Sequence, residues 1–277
     1  MTETVLDGLA FPEGPRWRDG RLWFSDQHDH RVVSMLPDGK SETVVEVPQQ
    51  PSGLGWLADG TMLVVSMLDR RVLAFRNGAL SEHADISALA PAACNDMVVD
   101  SRGRAYVGNF GFDMYGGAKP HNTTIVAVDP DGTARVAADD VRFPNGSVVT
   151  PDNGTLVVAE SMGASLLAFD IEADGTLTNR RQWADLGQFG ATADGICLDS
   201  EGAIWVACPF SSRVLRVGEG GTLLQEVPTG RGTYACVLGG DDLRTLYICT
   251  AEGHEPEECR EKRAGRIDAV RVDVPGV

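Results

Sequence analysis

"FPNGSVVTPDNGTLVVAES", residues 143–161, holds two short apolar runs on either side of a Pro-Asp-Asn-Gly turn and so reads as a β-hairpin. Its first four letters return at residues 11–14 as "FPEG", with Glu13 where the later copy has Asn145. Looser copies lie at 51–67, 94–110, 193–209 and 233–250, each with a polar residue ahead of an apolar run, a turn and a second run. The variable residues are Glu13, Ser52, Asn95, Asn145, Asp194 and Tyr234, at intervals of 39, 43, 50, 49 and 40. A period in the forties is the length of one four-stranded propeller blade. A second hairpin with an Asp-Gly turn falls between copies, as in "TIVAVDPDGTARVAAD" at 124–139.

Four strands in each of six periods predict an all-β chain folded as a six-bladed β-propeller, in one domain over residues 1–277. The run "GRIDAVRVDV" at 265–274 is expected to close the ring by pairing with strands near the N-terminus. A β-sandwich also has short, evenly spaced strands, but it does not explain one polar slot returning six times. Few windows carry apolar residues at helical spacing, so long amphipathic helices are not expected.

Charge and composition narrow the function. A formal net charge of −16 repels phosphate backbones and anionic membranes, which argues against nucleic-acid and membrane partners. The longest apolar stretches, such as "MLVVSML" at 62–68, are far too short to span a bilayer. The first residues show no signal-peptide pattern, and the six cysteines form no C-x-x-C pair. The expectation is a cytoplasmic protein with buried free thiols.

The first strand of a propeller blade lines the central channel, so slots placed before it should converge on the axis at one face. They supply two carboxylates, Glu13 and Asp194, and two amides, Asn95 and Asn145. Singly, such residues are ordinary turn formers. Together they make an oxygen-only set suited to one hard divalent cation, Ca²⁺ or Mg²⁺ and less exclusively Mn²⁺; Zn²⁺, kept as a further candidate, usually recruits His or Cys. Four protein ligands leave coordination positions open to water or substrate.

The motifs "FPEGPRW" (11–17), "CNDMVVDSRGRAYVG" (94–108), "FPNGSVVTPDNGTLVVAES" and "ADGICLDSEGAIWVA" (193–207) give the chain a resemblance, nearly end to end, to the senescence-marker-protein/gluconolactonase/luciferin-regenerating family. Diisopropylfluorophosphatase is similar in architecture and metal site. The resemblance implies that Glu13, Asn95, Asn145 and Asp194 bind one divalent metal, commonly calcium. It also implies lactone hydrolysis, with Asp194 as general base or nucleophile. Sugar-lactone members often carry an Arg two residues before the blade-three Asn, where this chain has Ala93. The difference turns the expectation from a heavily hydroxylated sugar lactone towards a smaller or more apolar lactone or ester.

Further candidates surround that set. Asp96 is expected behind the ligands, Asn109 facing the pocket, and Tyr115, His121 and Phe112 on a lid-like loop at 111–122. His254 is a candidate for the entrance, "QHDH" at 27–30 is expected to be a solvated loop, and Cys94 a packing residue. The expected function is divalent-metal-dependent hydrolysis of a small-molecule lactone or ester. The alternatives are a phosphotriesterase on the same ligands and a calcium-stabilised metabolite-binding propeller without turnover.

Overall fold

The computed structural model describes residues 2–277. Six four-stranded antiparallel sheets stand around one axis as a six-bladed β-propeller. Blade 1 runs outward through Pro12–Arg18, Arg21–Asp26, Arg31–Met35 and Ser41–Glu46. The inner strands of blades 2 to 6 are Pro51–Trp56, Cys94–Val99, Pro144–Val149, Ile196–Leu198 and Gly232–Gly239, each touching its neighbours around the ring. In blade 6 the outermost strand is Glu3–Leu9, paired antiparallel with Gly265–Arg271. The N-terminal strand therefore closes the ring, as the sequence predicts.

The core is divided among the blade interfaces. One cluster of buried side chains fills the wedge between each pair of neighbouring blades, six in all among the described residues. Strand period explains how one strand serves two wedges. In Met62–Ser66, Met62 and Val64 pack towards blade 1, whereas Leu63 and Val65 pack towards blade 3. Such strands are buried on both faces, which is why they read as unbroken apolar runs.

The polar slots sit slightly differently from the sequence expectation. Glu13, Ser52, Asn95 and Asn145 are the second residues of their inner strands, not residues ahead of them. Asp194 does precede its strand, while Tyr234 is the third residue of Gly232–Gly239. In blades 1 to 4 the pairing register slips by one residue directly after the slot. In blade 4, for example, Pro144 pairs with Glu160 and Ser147 with Val158. Equivalent slips follow Glu13, Ser52 and Asn95. A β-bulge bends a strand and re-aims its side chains, here at the start of each inner strand.

The glycine after the slot has a packing reason. A Cβ on Gly146 would lie 2.5 Å from the Ile196 backbone nitrogen and 2.6 Å from the Gly195 Cα. A Cβ on Gly195 would lie 2.6 Å from the Ala235 Cα, one on Gly14 2.9 Å from the Ser52 carbonyl oxygen, and one on Gly53 2.2 Å from the Met97 nitrogen. Four of the six slots are thus followed by a residue whose missing side chain lets the next blade reach the axis. Gly146→Ala should lower unfolding free energy by at least about 1–3 kcal/mol, because rigid backbone, not a mobile side-chain tip, occupies the space. Urea unfolding followed by tryptophan fluorescence reads this, and an unchanged midpoint would show that the blades do not meet so closely.

One α-helix, Pro256–Lys262, follows the second strand of blade 6 and was not expected from the sequence. Pro at its start and Glu257 and Glu258 in its first turn suit a helix N-terminus. Its buried Cys259 packs with Phe11 and Tyr234. Among the described residues no helix is long and apolar enough to cross a membrane.

Candidate active site

At the end of the axis where the inner strands begin lies a cavity of about 380 Å³. Glu13, Asn95, Asn145 and Asp194 all line it, so the structure brings the four sequence candidates together from blades 1, 3, 4 and 5. The amide nitrogens of Asn95 and Asn145 are engaged by neighbouring protein oxygens. Asn95 Nδ2 donates to the Pro144 carbonyl oxygen at 3.4 Å, and Asn145 Nδ2 donates to Ser161 Oγ at 3.2 Å. The Asp194 backbone N–H donates to the Ala207 carbonyl oxygen at 3.0 Å. Glu13 Oε2 accepts the Gly14 backbone N–H at 2.8 Å. Among the described residues no donor is bonded to Asn95 Oδ1, Asn145 Oδ1 or Glu13 Oε1, which leaves these oxygens available to a ligand.

The electrostatics of this floor are those of crowded, desolvated anions. Burial raises the Glu13 carboxyl well above its ordinary range, and the charge of Asp194 adds to this against the Gly14 N–H. Asp194 is pushed up to about 8, again chiefly by burial, with the Asn145 amide opposing and the charge of Asp96 adding. Asp96 is raised by burial against the opposing charge of Arg16. The Arg16 guanidinium reaches across blade 2, donating to the Leu54 carbonyl oxygen at 3.1 Å, the Met97 carbonyl oxygen at 2.5 Å and Asp96 Oδ1 at 2.7 Å. Asp96 is therefore fixed by an ion pair and does not itself line the cavity.

A divalent cation suits this chemistry: two carboxylates held near each other, two amide oxygens without partners, and no His or Cys in the set. Among the described residues no three His, Cys, Asp or Glu side chains converge as a metal cluster, so a site here depends on the amides. Sequence reasoning found them only because the slots repeat.

The remaining candidates divide. Tyr115 and His254 line the cavity. Asn109 does not: it is fully buried, and its amide accepts from Gly111 N and Thr123 Oγ1 and donates to the Thr124 carbonyl oxygen. Its work is to hold the base of the 111–122 loop. His121 is also outside the cavity, edge-on to Phe112, which is itself buried in the wedge between blades 2 and 3. The stretch 27–30 is not a solvated loop in its first half. Gln27 lines the cavity and donates to Ser52 Oγ at 3.1 Å, and buried His28 stacks on Phe11 at 4.8 Å. Burial pushes the His28 imidazole down to about 4, which keeps it neutral. Cys94 is a packing residue, its thiol pushed up to about 12 by burial.

Sequence reasoning set Tyr234 at the axis but missed the other walls. Phe143 and Phe110 stack with ring centroids 4.6 Å apart, and Phe11 meets Tyr234 edge-on at 4.6 Å. All four line the cavity. Phe11 and Phe143 are the phenylalanines of the two Phe-Pro-X-Gly frames, so the frame supplies a wall residue as well as a polar floor residue. Phe143 takes a left-handed backbone, φ 60°, ahead of a proline, a conformation disfavoured for a bulky residue and found where a site is built.

A family model described as the SMP-30/Gluconolactonase/LRE-like region matches residues 11–252. The chain is 29% identical to the 6-deoxy-6-sulfogluconolactonase of Pseudomonas putida, over 100% of this chain and 97% of that protein. It is 30% identical to the pentonolactonase of Haloferax volcanii, over 99% of this chain and 94% of that protein. Among solved structures, a calcium-binding protein, regucalcin, from Agrobacterium tumefaciens superposes with a TM-score of 0.83 at 21% identity, over 99% and 95% of the two chains.

Proposed function

From the premise that the chain belongs to the SMP-30/gluconolactonase/LRE-like family, we propose that it hydrolyses small-molecule lactones with the help of one divalent cation, calcium first among the candidates. The observation that carries the reading is the cavity floor, where two carboxylates and two unbonded amide oxygens converge below an apolar wall. Relatives named as lactonases over almost their whole length support the reaction class. The oxygen-only donors support calcium, as does a structural neighbour titled a calcium-binding protein. Six free, buried cysteines support a reducing, cytoplasmic setting.

Glu13, Asn95, Asn145 and Asp194 would hold the ion. When bound, it would keep the two carboxylates ionised and draw charge from a lactone carbonyl oxygen. Asp194 takes the proton from a water whose oxygen adds to the carbonyl carbon. The ring C–O bond then breaks, and the ring oxygen recovers that proton to give the open hydroxy acid. Asp96 positions this machinery through Arg16, and the Phe110–Phe143 wall keeps bulk water from the floor.

A panel of sugar, aliphatic and aryl lactones, followed by acid release at constant pH, tests the proposal. Turnover of at least one class above the spontaneous rate is the expected result. If no lactone, ester or organophosphate turns over while the cation still binds, the chain is a metabolite-binding propeller and the proposal fails.

A further inference from the structure

The cavity is not polar throughout. On the side of blades 3, 4 and 5 an apolar strip climbs from the floor past Phe110 and Phe143 to the mouth. At the mouth stand Tyr115, Met162 and Phe210, one from a loop of each of those blades. They are 45%, 46% and 79% exposed, so three of the largest apolar groups left facing water border one opening. Exposed apolar side chains scattered singly need no explanation, but a collar continuous with a reactive floor does. No Lys or Arg lines the cavity, and its one basic side chain, His254, stands opposite the apolar strip on the blade 6 side, so an anionic substituent lying along the strip finds no fixed cation beside it. The volume of about 380 Å³ is more than a bare lactone ring fills.

We infer that the substrate is an uncharged lactone bearing an extended hydrocarbon substituent, with its ring at the floor and its chain leaving between Tyr115, Met162 and Phe210. The inference rests on the lactone-hydrolase reading and adds the substrate class to it. The amphipathic cavity accounts for both ends of such a molecule. The oxygen set faces the carbonyl, and the aromatic strip takes the chain out of water. Ala93, where the resemblance leads one to expect an Arg, has its carbonyl bonded to the Phe110 backbone N–H and packs in the wedge between blades 2 and 3. It brings no cation to the cavity.

Two measurements on the full-length protein test this. The first is kcat/KM for γ-lactones with straight alkyl substituents of increasing length, beside the same ring carrying a terminal carboxylate. The second is calorimetric affinity for 2-alkylcyclopentanones, which have ring and chain but no bond to hydrolyse. Both should rise by about fourfold per buried methylene and level off once the chain passes the collar. The carboxylate should abolish the gain. Phe210→Ser combined with Met162→Ser should reduce the preference for the longest over the unsubstituted lactone by roughly tenfold. Leu68→Ser, at an exposed apolar residue away from the cavity, should leave that preference unchanged. If lactones turn over with no dependence on chain length, or turn over while the ketones bind independently of it, the substrate inference is overturned and the hydrolase reading stands. If the ketones bind with the expected length dependence and no lactone turns over, the hydrocarbon subsite is upheld and the hydrolase reading fails.

Discussion

Asp194→Asn is expected to lower turnover by about 10³–10⁴-fold, the upper part of the range for removing a positioned base. The amide keeps the size of the side chain and leaves the backbone bond from Asp194 N–H to Ala207 untouched, so the propeller should persist. The same variant has a second signature that separates its chemical role from damage to the fold. In metal-free protein the Asp194 carboxyl keeps its proton up to about 8, whereas in the unfolded chain it ionises near its ordinary value of 3.8. The folded state therefore binds more protons between those values, and stability falls as pH rises through the window. The cost is absent below 3.8 and complete above about 8. Removing the carboxyl should raise the thermal midpoint of metal-free protein above about pH 9 and leave it unchanged below about pH 3.5. Full activity in the variant would move the base to another group. A lower midpoint at high pH would show that Asp194 is not desolvated as described.

Stripping divalent ions should abolish turnover and lower the thermal midpoint together. A cation bound only by the folded state stabilises it by about 4 kcal/mol at a thousandfold excess over Kd. For a chain of this length that corresponds to roughly 8–16 °C. Calcium should restore both properties. Its affinity should weaken as pH falls, because protons compete for Glu13 and Asp194, whose buried carboxyls already favour the protonated form. Differential scanning fluorimetry and lactone turnover, each with chelator and then with added calcium, check the pair. Turnover and melting both indifferent to a strong chelator would remove the cation from the mechanism.

The fold was legible because repetition makes weak signals add. One Asn-Gly or Asp-Gly pair only marks a turn, but six slots at blade-length intervals define a ring, and the ring places residues distant in sequence at one end of the axis. Glu13, Asn95, Asn145 and Asp194 were found in this way. What escaped has no period. Phe110, Met162 and Phe210 lie at or beyond strand ends, where neither alternation nor spacing distinguishes a cavity wall from an exposed turn. Asn109 looked like a pocket residue because its strand ends towards the cavity, yet the turn that follows takes its amide oxygen and the Thr124 carbonyl of the next strand takes its amide nitrogen. Gln27 and His28 looked hydrated because four polar letters in a row resemble a loop. Their burial depends on Phe11, folded back by the first hairpin of blade 1, and on Ser52 of the neighbouring blade. It also depends on blade 6, whose His254 carbonyl meets the His28 ring across the closed ring.

That closure also orders events on the ribosome. The outer strand of blade 6, Glu3–Leu9, is made long before its partner Gly265–Arg271. Glu13 waits on a nascent chain whose earlier blades can pair their own strands, since N-terminal units generally fold first during synthesis. Blade 6, by contrast, cannot be completed until the final strand emerges. A prematurely released product lacking that strand would carry all four floor residues and still leave the ring open, with the edges of Thr245–Ala251 and Glu3–Leu9 unpaired. Closure of the ring around the four floor residues thus waits until translation has passed Gly265–Arg271.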